Sequence, residues 1–237
     1  MPTVQRDAAG IGSLADPVRR RLYLFVCSQP EPVSRDQAAH AAGVTRHQAK
    51  FHLDRLEATG LLETTYARLG GRSGPGAGRT SKLYRRSSRE IAISLPDREY
   101  ELAGRLLAGA VAEAAASGAP VTGTLHRLAA DHGRSLGQAA VSAAGRPTAA
   151  AAALDLAVRV LAEHGYEPRD DGGQVVLVNC PFQTLARAQP ELVCTMNRAL
   201  VGGIADALQP YGPDLGLDSG QDRCCVVLVR GGPEGSR

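Results

Sequence analysis

Residues 34–59 constrain this chain more than any other stretch. Ser34 stands before a short run, 35–42, in which Ala38, Ala39 and Ala42 share one face. Gly43-Val44 interrupts it, and Thr45 opens a longer run through residue 59 with Ala49, Leu53 and Leu56 on one side. A Ser or Thr ahead of an apolar-periodic run caps a helix, and a Gly behind one ends it by accepting left-handed backbone. Two helices joined this tightly form a compact angled pair. The apolar face of the second leaves Arg46, His47 and Lys50 projecting from its first turns.

The residues after the pair narrow its use. Past Gly60, residues 61–69 read as a strand, 70–79 as a glycine-rich basic loop and 81–86 as a second strand. Helix, turn, helix and basic hairpin together describe a winged helix-turn-helix, in which the second helix enters the major groove of DNA. Thr45, Arg46, His47 and Lys50 are the candidates for that groove. Arg72, Arg79 and Lys82 are candidates for phosphate or the adjacent minor groove, where cations act by charge. Lys50 and Lys82 are the only two lysines in the chain. The glycines at 71, 74, 76 and 78 do not make a phosphate-cradling loop, because no helix start or catalytic Lys comes after them. Ahead of the pair, residues 13–28 read as a helix capped by Ser13, with Leu14, Val18, Leu22, Phe25 and Val26 at helical spacing and Pro30 and Pro32 stopping it.

Charge is divided along the chain as such a module requires. Through Glu90 there are 15 Lys and Arg against 8 Asp and Glu; beyond it, 12 against 16. The basic part takes a polyanion partner and the acidic remainder does not. No run approaches the ~18 apolar residues of a membrane span, and the first residues lack a basic stretch followed by an apolar core. The expectation is a cytoplasmic protein with no membrane partner.

The segment Thr45-Arg46-His47-Gln48-Ala49-Lys50-Phe51-His52-Leu53-Asp54-Arg55-Leu56-Glu57, then Gly60-Leu61-Leu62, with Gly78-Arg79 and Lys82-Leu83-Tyr84 past the loop, resembles the ArsR/DeoR-like bacterial repressors. That resemblance covers roughly residues 10–90. It implies a homodimer on a pseudo-palindromic double-stranded operator.

The fold class expected is mainly α with small β elements (α+β). Residues 1–95 form the winged helix-turn-helix, 96–118 a linker and dimerisation helix (97–116, with Leu102, Leu106, Leu107 and Val111 at helical spacing, a stripe that serves either a second subunit or an internal core), and 119–237 an α+β sensor domain. Helices are expected at 122–144, 148–164, 181–188 and 190–209. A hairpin is expected from 166–169 and 174–179 around a turn at 170–173, and a last strand at 223–230.

Four of the five cysteines, Cys180, Cys194, Cys224 and Cys225, fall in the last quarter of the chain, and Cys27 stands apart as a small core residue. Thiolates are soft ligands for zinc, copper(I) and iron–sulfur centres. Thirteen and then 29 residues separate Cys180, Cys194 and Cys224, without the C-x2-C knuckles of structural zinc. Adjacent residues on a strand face opposite ways, so one of Cys224 and Cys225 is expected to ligate, and the start of a helix near Cys194 is expected to favour its thiolate. Asn179-Cys180-Pro181-Phe182, Pro190-Glu191-x-Val193-Cys194 and Cys224-Cys225 resemble the C-terminal domain of the Suf regulators, iron–sulfur-dependent repressors of cluster-assembly genes. The resemblance implies a 4Fe–4S or 2Fe–2S cluster on Cys180, Cys194 and Cys224 or Cys225, with no convincing fourth cysteine. The alternatives are a zinc, metal-ion or thiol-redox-sensing regulator, and, from another class, a cofactor-binding enzyme fused to a DNA-binding domain. No catalytic dyad supports the last, and the protein is not expected to be an enzyme.

Overall fold

The structure, a computed structural model, describes residues 2–67, 80–217 and 223–230, with side chains from residue 7 onward. The chain divides into two compact units, Met1–Ile93 and Ser94–Arg237.

The first unit runs α1 (Pro2–Ser13), α2 (Pro17–Ser28), β1 (Val33–Ser34), α3 (Arg35–Ala42), α4 (Arg46–Ala58), β2 (Leu62–Ala67) and β3 (Ser81–Arg86). The strands form one antiparallel sheet in the order β1-β3-β2. Leu22 and Val26 of α2, Ala38 and Ala39 of α3, Ala49, Leu53 and Leu56 of α4 and Tyr84 of β3 make its core. The helix expected over 13–28 is α2, which starts at Pro17 and not at Ser13, and α1 ahead of it was not expected. Ser13 ends α1, and Asp16 caps α2 by accepting from the Val18 and Arg19 amides at 2.9 Å. Pro17 at the first helical position makes Asp16 the stronger start, since a proline there loses no needed amide.

The second unit runs α5 (Tyr100–Ser117), α6 (Val121–Ala144), α7 (Ala150–Glu163), β4 (Pro168–Asp171), β5 (Gln174–Leu177), α8 (Gln183–Ala188), α9 (Pro190–Ala207), β6 (Asp214–Leu217) and β7 (Val226–Val229). Its antiparallel sheet has the order β4-β5-β7-β6. The hairpin between β4 and β5 turns on Gly172 and Gly173, at φ 63° and 111°, backbone that only glycine adopts cheaply. The helix expected as a linker is α5, and it lies in the second unit. Leu102, Ala103, Leu106, Ala110 and Ala114 are buried and α5 packs on α6, whereas Val111 is 57% exposed. Two corrections concern the C-terminal strands. β6 was not foreseen, and the strand expected over 223–230 is confined to Val226–Val229, leaving Cys224 and Cys225 ahead of it.

The tightest packing is between α6 and α9. A methyl group at Gly133 would lie 1.9 Å from the Leu200 carbonyl oxygen, and one at Gly203 2.1 Å from that of Ala130. These backbones touch where only glycine fits. Among the described residues no helix is long and apolar enough to cross a membrane.

Candidate functional site

The recognition pair is set by two reciprocal caps. Ser34 accepts from the Gln37 amide while the Gln37 side chain accepts from the Ser34 amide at 2.8 Å. Thr45 and Gln48 repeat the arrangement, with the Gln48 amide donating to Thr45 Oγ1 at 3.2 Å and the Thr45 amide to Gln48 Oε1 at 3.1 Å. Gly43 turns the chain between them at φ 64°. With Ala49, Leu53 and Leu56 fully buried, Arg46, His47 and Lys50 are exposed, as the sequence pattern requires. Phe51 is exposed beside them at 63%; the sequence pattern assigned it no role, although it lies off the apolar face. His47, Lys50, Phe51 and Arg55 share one shallow depression.

The exposed cations are paired. Both nitrogens of the Arg46 fork reach the Asp36 carboxylate of α3, Nε at 2.6 Å, and Lys50 Nζ reaches Asp54 Oδ2 at 3.0 Å. The Arg46 hydrogen bonds hold the Asp36 carboxyl below the ordinary carboxylate range. Exposed pairs of this kind are worth about 0–1 kcal/mol, so a phosphate can displace the carboxylate.

Lys82, a candidate for phosphate, is engaged within the unit. Its Nζ donates to Asp54 Oδ1 at 2.9 Å and to Glu57, and Tyr84 donates to the same Asp54 oxygen at 2.8 Å. It ties the wing strand β3 to the recognition helix α4. Burial alone would raise the Asp54 carboxyl, but hydrogen bonds from Lys82, Lys50 and Tyr84 outweigh it and hold the group at about 2. Burial likewise opposes charge on Lys82, and Glu57 and Asp54 reverse the effect, raising it above the lysine range. Arg72 and Arg79 lie outside the described residues.

In the second unit, Cys180, Cys194, Cys224 and Cys225 line one cleft of about 160 Å³ with Gln183, Ala186, Arg187 and Arg223. Cys180 sits in the loop between β5 and α8, Cys194 in the second turn of α9, and Cys224 and Cys225 just before β7. The Cys224 amide donates to the Leu177 carbonyl at 2.9 Å, extending the β5–β7 pairing by one bond and bringing the two cysteine-bearing ends together. Strand alternation therefore does not separate Cys224 from Cys225. Both reach the cleft, which holds four thiols where three were expected. Cys27 is partly buried on α2, in the other unit.

Hydrogen bonding pairs the Cys224 thiol with Cys180 and with Cys225, and the Cys194 thiol with Cys225. The Cys224 thiol lowers both of its neighbours, bringing Cys225 to about 6 against opposing burial, and is itself pushed far up by those bonds. Burial and the Cys225 bond push Cys194 up to about 12, so the start of α9 does not hold its thiolate as expected. Cys225 is the ready thiolate instead.

One buried partner was missed. Asn197, 1% exposed, donates from Nδ2 to Cys224 Sγ at 3.0 Å and accepts from the buried Tyr166 hydroxyl. A polar residue among Val193, Met196, Leu200, Val201 and Ile204 on the buried face of α9 was the available signal. Among the described residues, no three His, Cys, Asp or Glu side chains are grouped to hold a single metal ion. The four thiols share a cleft without a one-ion coordination sphere.

Residues 14–65 match a sequence family described as a helix-turn-helix domain. No curated protein and no solved structure matches the chain. The class of protein that the fold and the match define is a DNA-binding transcription regulator with an N-terminal helix-turn-helix. The match ends within β2, and the cysteine-bearing unit lies outside it.

Proposed function

We propose that the chain is a homodimeric repressor whose binding to a pseudo-palindromic operator depends on an iron–sulfur cluster at the C-terminal cysteines, and that it controls cluster-assembly genes. The observation that carries this reading is the meeting of four cysteines from three distant segments in one cleft. The donor set fits. Four soft thiols in one cleft are the ligand type that iron–sulfur centres take. A bound cluster supplies a redox-sensitive, oxygen-sensitive charge at this position. The protein's own residues do the rest. Cys180, Cys194, Cys224 and Cys225 would hold the cluster as thiolates, Asn197 would steady Cys224, and Arg187 and Arg223 would offset the negative charge of the thiolates.

On the DNA side, Arg46 and Lys50 leave Asp36 and Asp54 for bases or phosphate, Phe51 offers an apolar contact for a thymine methyl, and Thr45 and His47 flank them. Arg72 and Arg79 are proposed to reach phosphate from the wing.

Anaerobic purification tests the reading. Visible absorption with iron and acid-labile sulfide supports it; a colourless protein with bound zinc and no sulfide overturns it. A second reading, a thiol-redox regulator without a cluster, is favoured by the low Cys225 thiol beside three other sulfurs. It predicts a colourless protein in which mild peroxide forms a reducible disulfide.

A further inference from the structure

The segment leading into α5 is fastened to the loop that carries Cys180. Four residues after Ile93, where the first unit ends, the Asp97 carbonyl accepts from Asn179 Nδ2 at 3.1 Å. Arg98 Nη1 donates to Asn179 Oδ1 and, at 3.1 Å, to the Cys180 carbonyl; its Nη2 donates to Gln183 Oε1 at 2.9 Å. The Glu99 amide donates to the Pro181 carbonyl at 3.1 Å, and the Tyr100 hydroxyl to Thr184 Oγ1 at 2.7 Å. Gly165 closes the arrangement from the third side: Asn179 also donates to its carbonyl, and a methyl group there would lie 2.9 Å from Asp97 Cβ.

Two features make this more than loop packing. The Arg98 guanidinium is held by three neutral oxygens of residues 179–183, one of them the carbonyl of Cys180 itself, so its bonds depend on where that residue's backbone sits. Every residue from 97 to 100 contributes a bond to residues 179–184, so the connector moves only if the loop releases it.

We propose that Arg98 is a positioning residue that reports the state of Cys180 to the connector running back to the DNA-binding unit. While Cys180 is held in the cleft, Arg98 keeps residues 97–100 docked; when Cys180 is pulled away, loop and connector loosen together. The inference rests on the iron–sulfur reading only for what holds Cys180. By linkage, whatever stabilises the docked connector also stabilises the engaged cysteine.

The test is amide hydrogen exchange on the full chain, purified anaerobically, before and after p-hydroxymercuribenzoate, which takes thiols whether or not they carry a cluster. In the wild type the Glu99 amide is expected to exchange at least tenfold faster after the mercurial, with amides at 125–135 of α6 unchanged as the internal reference. In Arg98→Gln it should already be fast and indifferent to the mercurial, and Arg98→Lys should fall between. Tyr100→Phe, which leaves the guanidinium in place, should keep at least half of the wild-type response. Slow exchange in Arg98→Gln, or no acceleration in the wild type, overturns the latch. Iron and sulfide assayed on the same samples separate the two ideas. An iron-free wild type that still accelerates upholds the latch and sinks the cluster, whereas an iron-loaded one that does not accelerate does the reverse.

Discussion

Cys225 gives up its proton most readily of the thiols in the cleft, and its reactivity is the simplest residue-level check on the site. Held at about 6 by the neighbouring Cys224 thiol, it is mostly thiolate at neutral pH, while Cys194 at about 12 is not. Iodoacetamide labelling of the reduced, metal-free chain at pH 7, followed by peptide mass spectrometry, should modify Cys225 before Cys194 by at least tenfold. The Cys225 rate should fall as pH drops through 6. Equal labelling would mean that the sulfur chain does not share protons in this way. The recognition helix offers a second check. Arg46→Ala should cost roughly 1–3 kcal/mol of operator affinity if Arg46 reads a base edge, and should relax sequence preference, whereas Lys50→Ala should weaken all duplexes alike if Lys50 meets phosphate. Asp36→Asn should tighten binding to any duplex, because it removes the carboxylate that competes for Arg46. Filter binding across a panel of sequences reads all three.

At the scale of elements, what is local was legible and what is long-range was not. The caps at Ser34 and Thr45 are written within four residues, and the helices they start were placed from the sequence. Thr45→Ala should therefore cost the domain about 1 kcal/mol in a denaturant titration. α1 was missed because Gly10 and Gly12 are poor helix formers and Asp16-Pro17 supplies the stronger signal for α2. β6 was missed because Asp214–Leu217 is a short stretch holding a glycine, with little to mark it until β7 pairs with it. The fourth thiol was missed for the same reason. No spacing rule shows that Cys224 and Cys225 precede their strand. Nothing local marks the glycines of α6, yet Gly133→Ala should be among the most damaging single changes. The added methyl meets the Leu200 backbone, which cannot step aside as a side chain can, and a loss of several kcal/mol in thermal or urea unfolding is expected.

For the molecule as a whole, acid should tell first on the unit that holds the Asp54 network. Asp54 has a depressed pKa in the folded first unit, so its contribution is present above the unfolded value of 3.8 and is lost as pH falls through about 2. The first unit, followed by Tyr84 absorbance, should therefore lose stability progressively between pH ~4 and ~2. Lys82→Met should remove much of that dependence and loosen the joint between wing and recognition helix. A pH profile identical to wild type for Lys82→Met would disprove the network's role. The excess of basic residues through Glu90 also predicts DNA affinity that falls steeply with salt, by about one logarithmic unit of slope per phosphate contacted.

The strand order β4-β5-β7-β6 places the last-made strand of this sheet between two earlier ones. During synthesis Cys180 and Cys194 emerge first, with an open gap beside β5 where β7 belongs, and neither Cys224 nor Cys225 yet exists. The site cannot assemble on a growing chain. It waits for translation to pass residue 225 and for the strand beyond it to thread between its neighbours, so the four-thiol cleft exists only after the sheet closes, and a chain stopped early carries two of its four sulfurs.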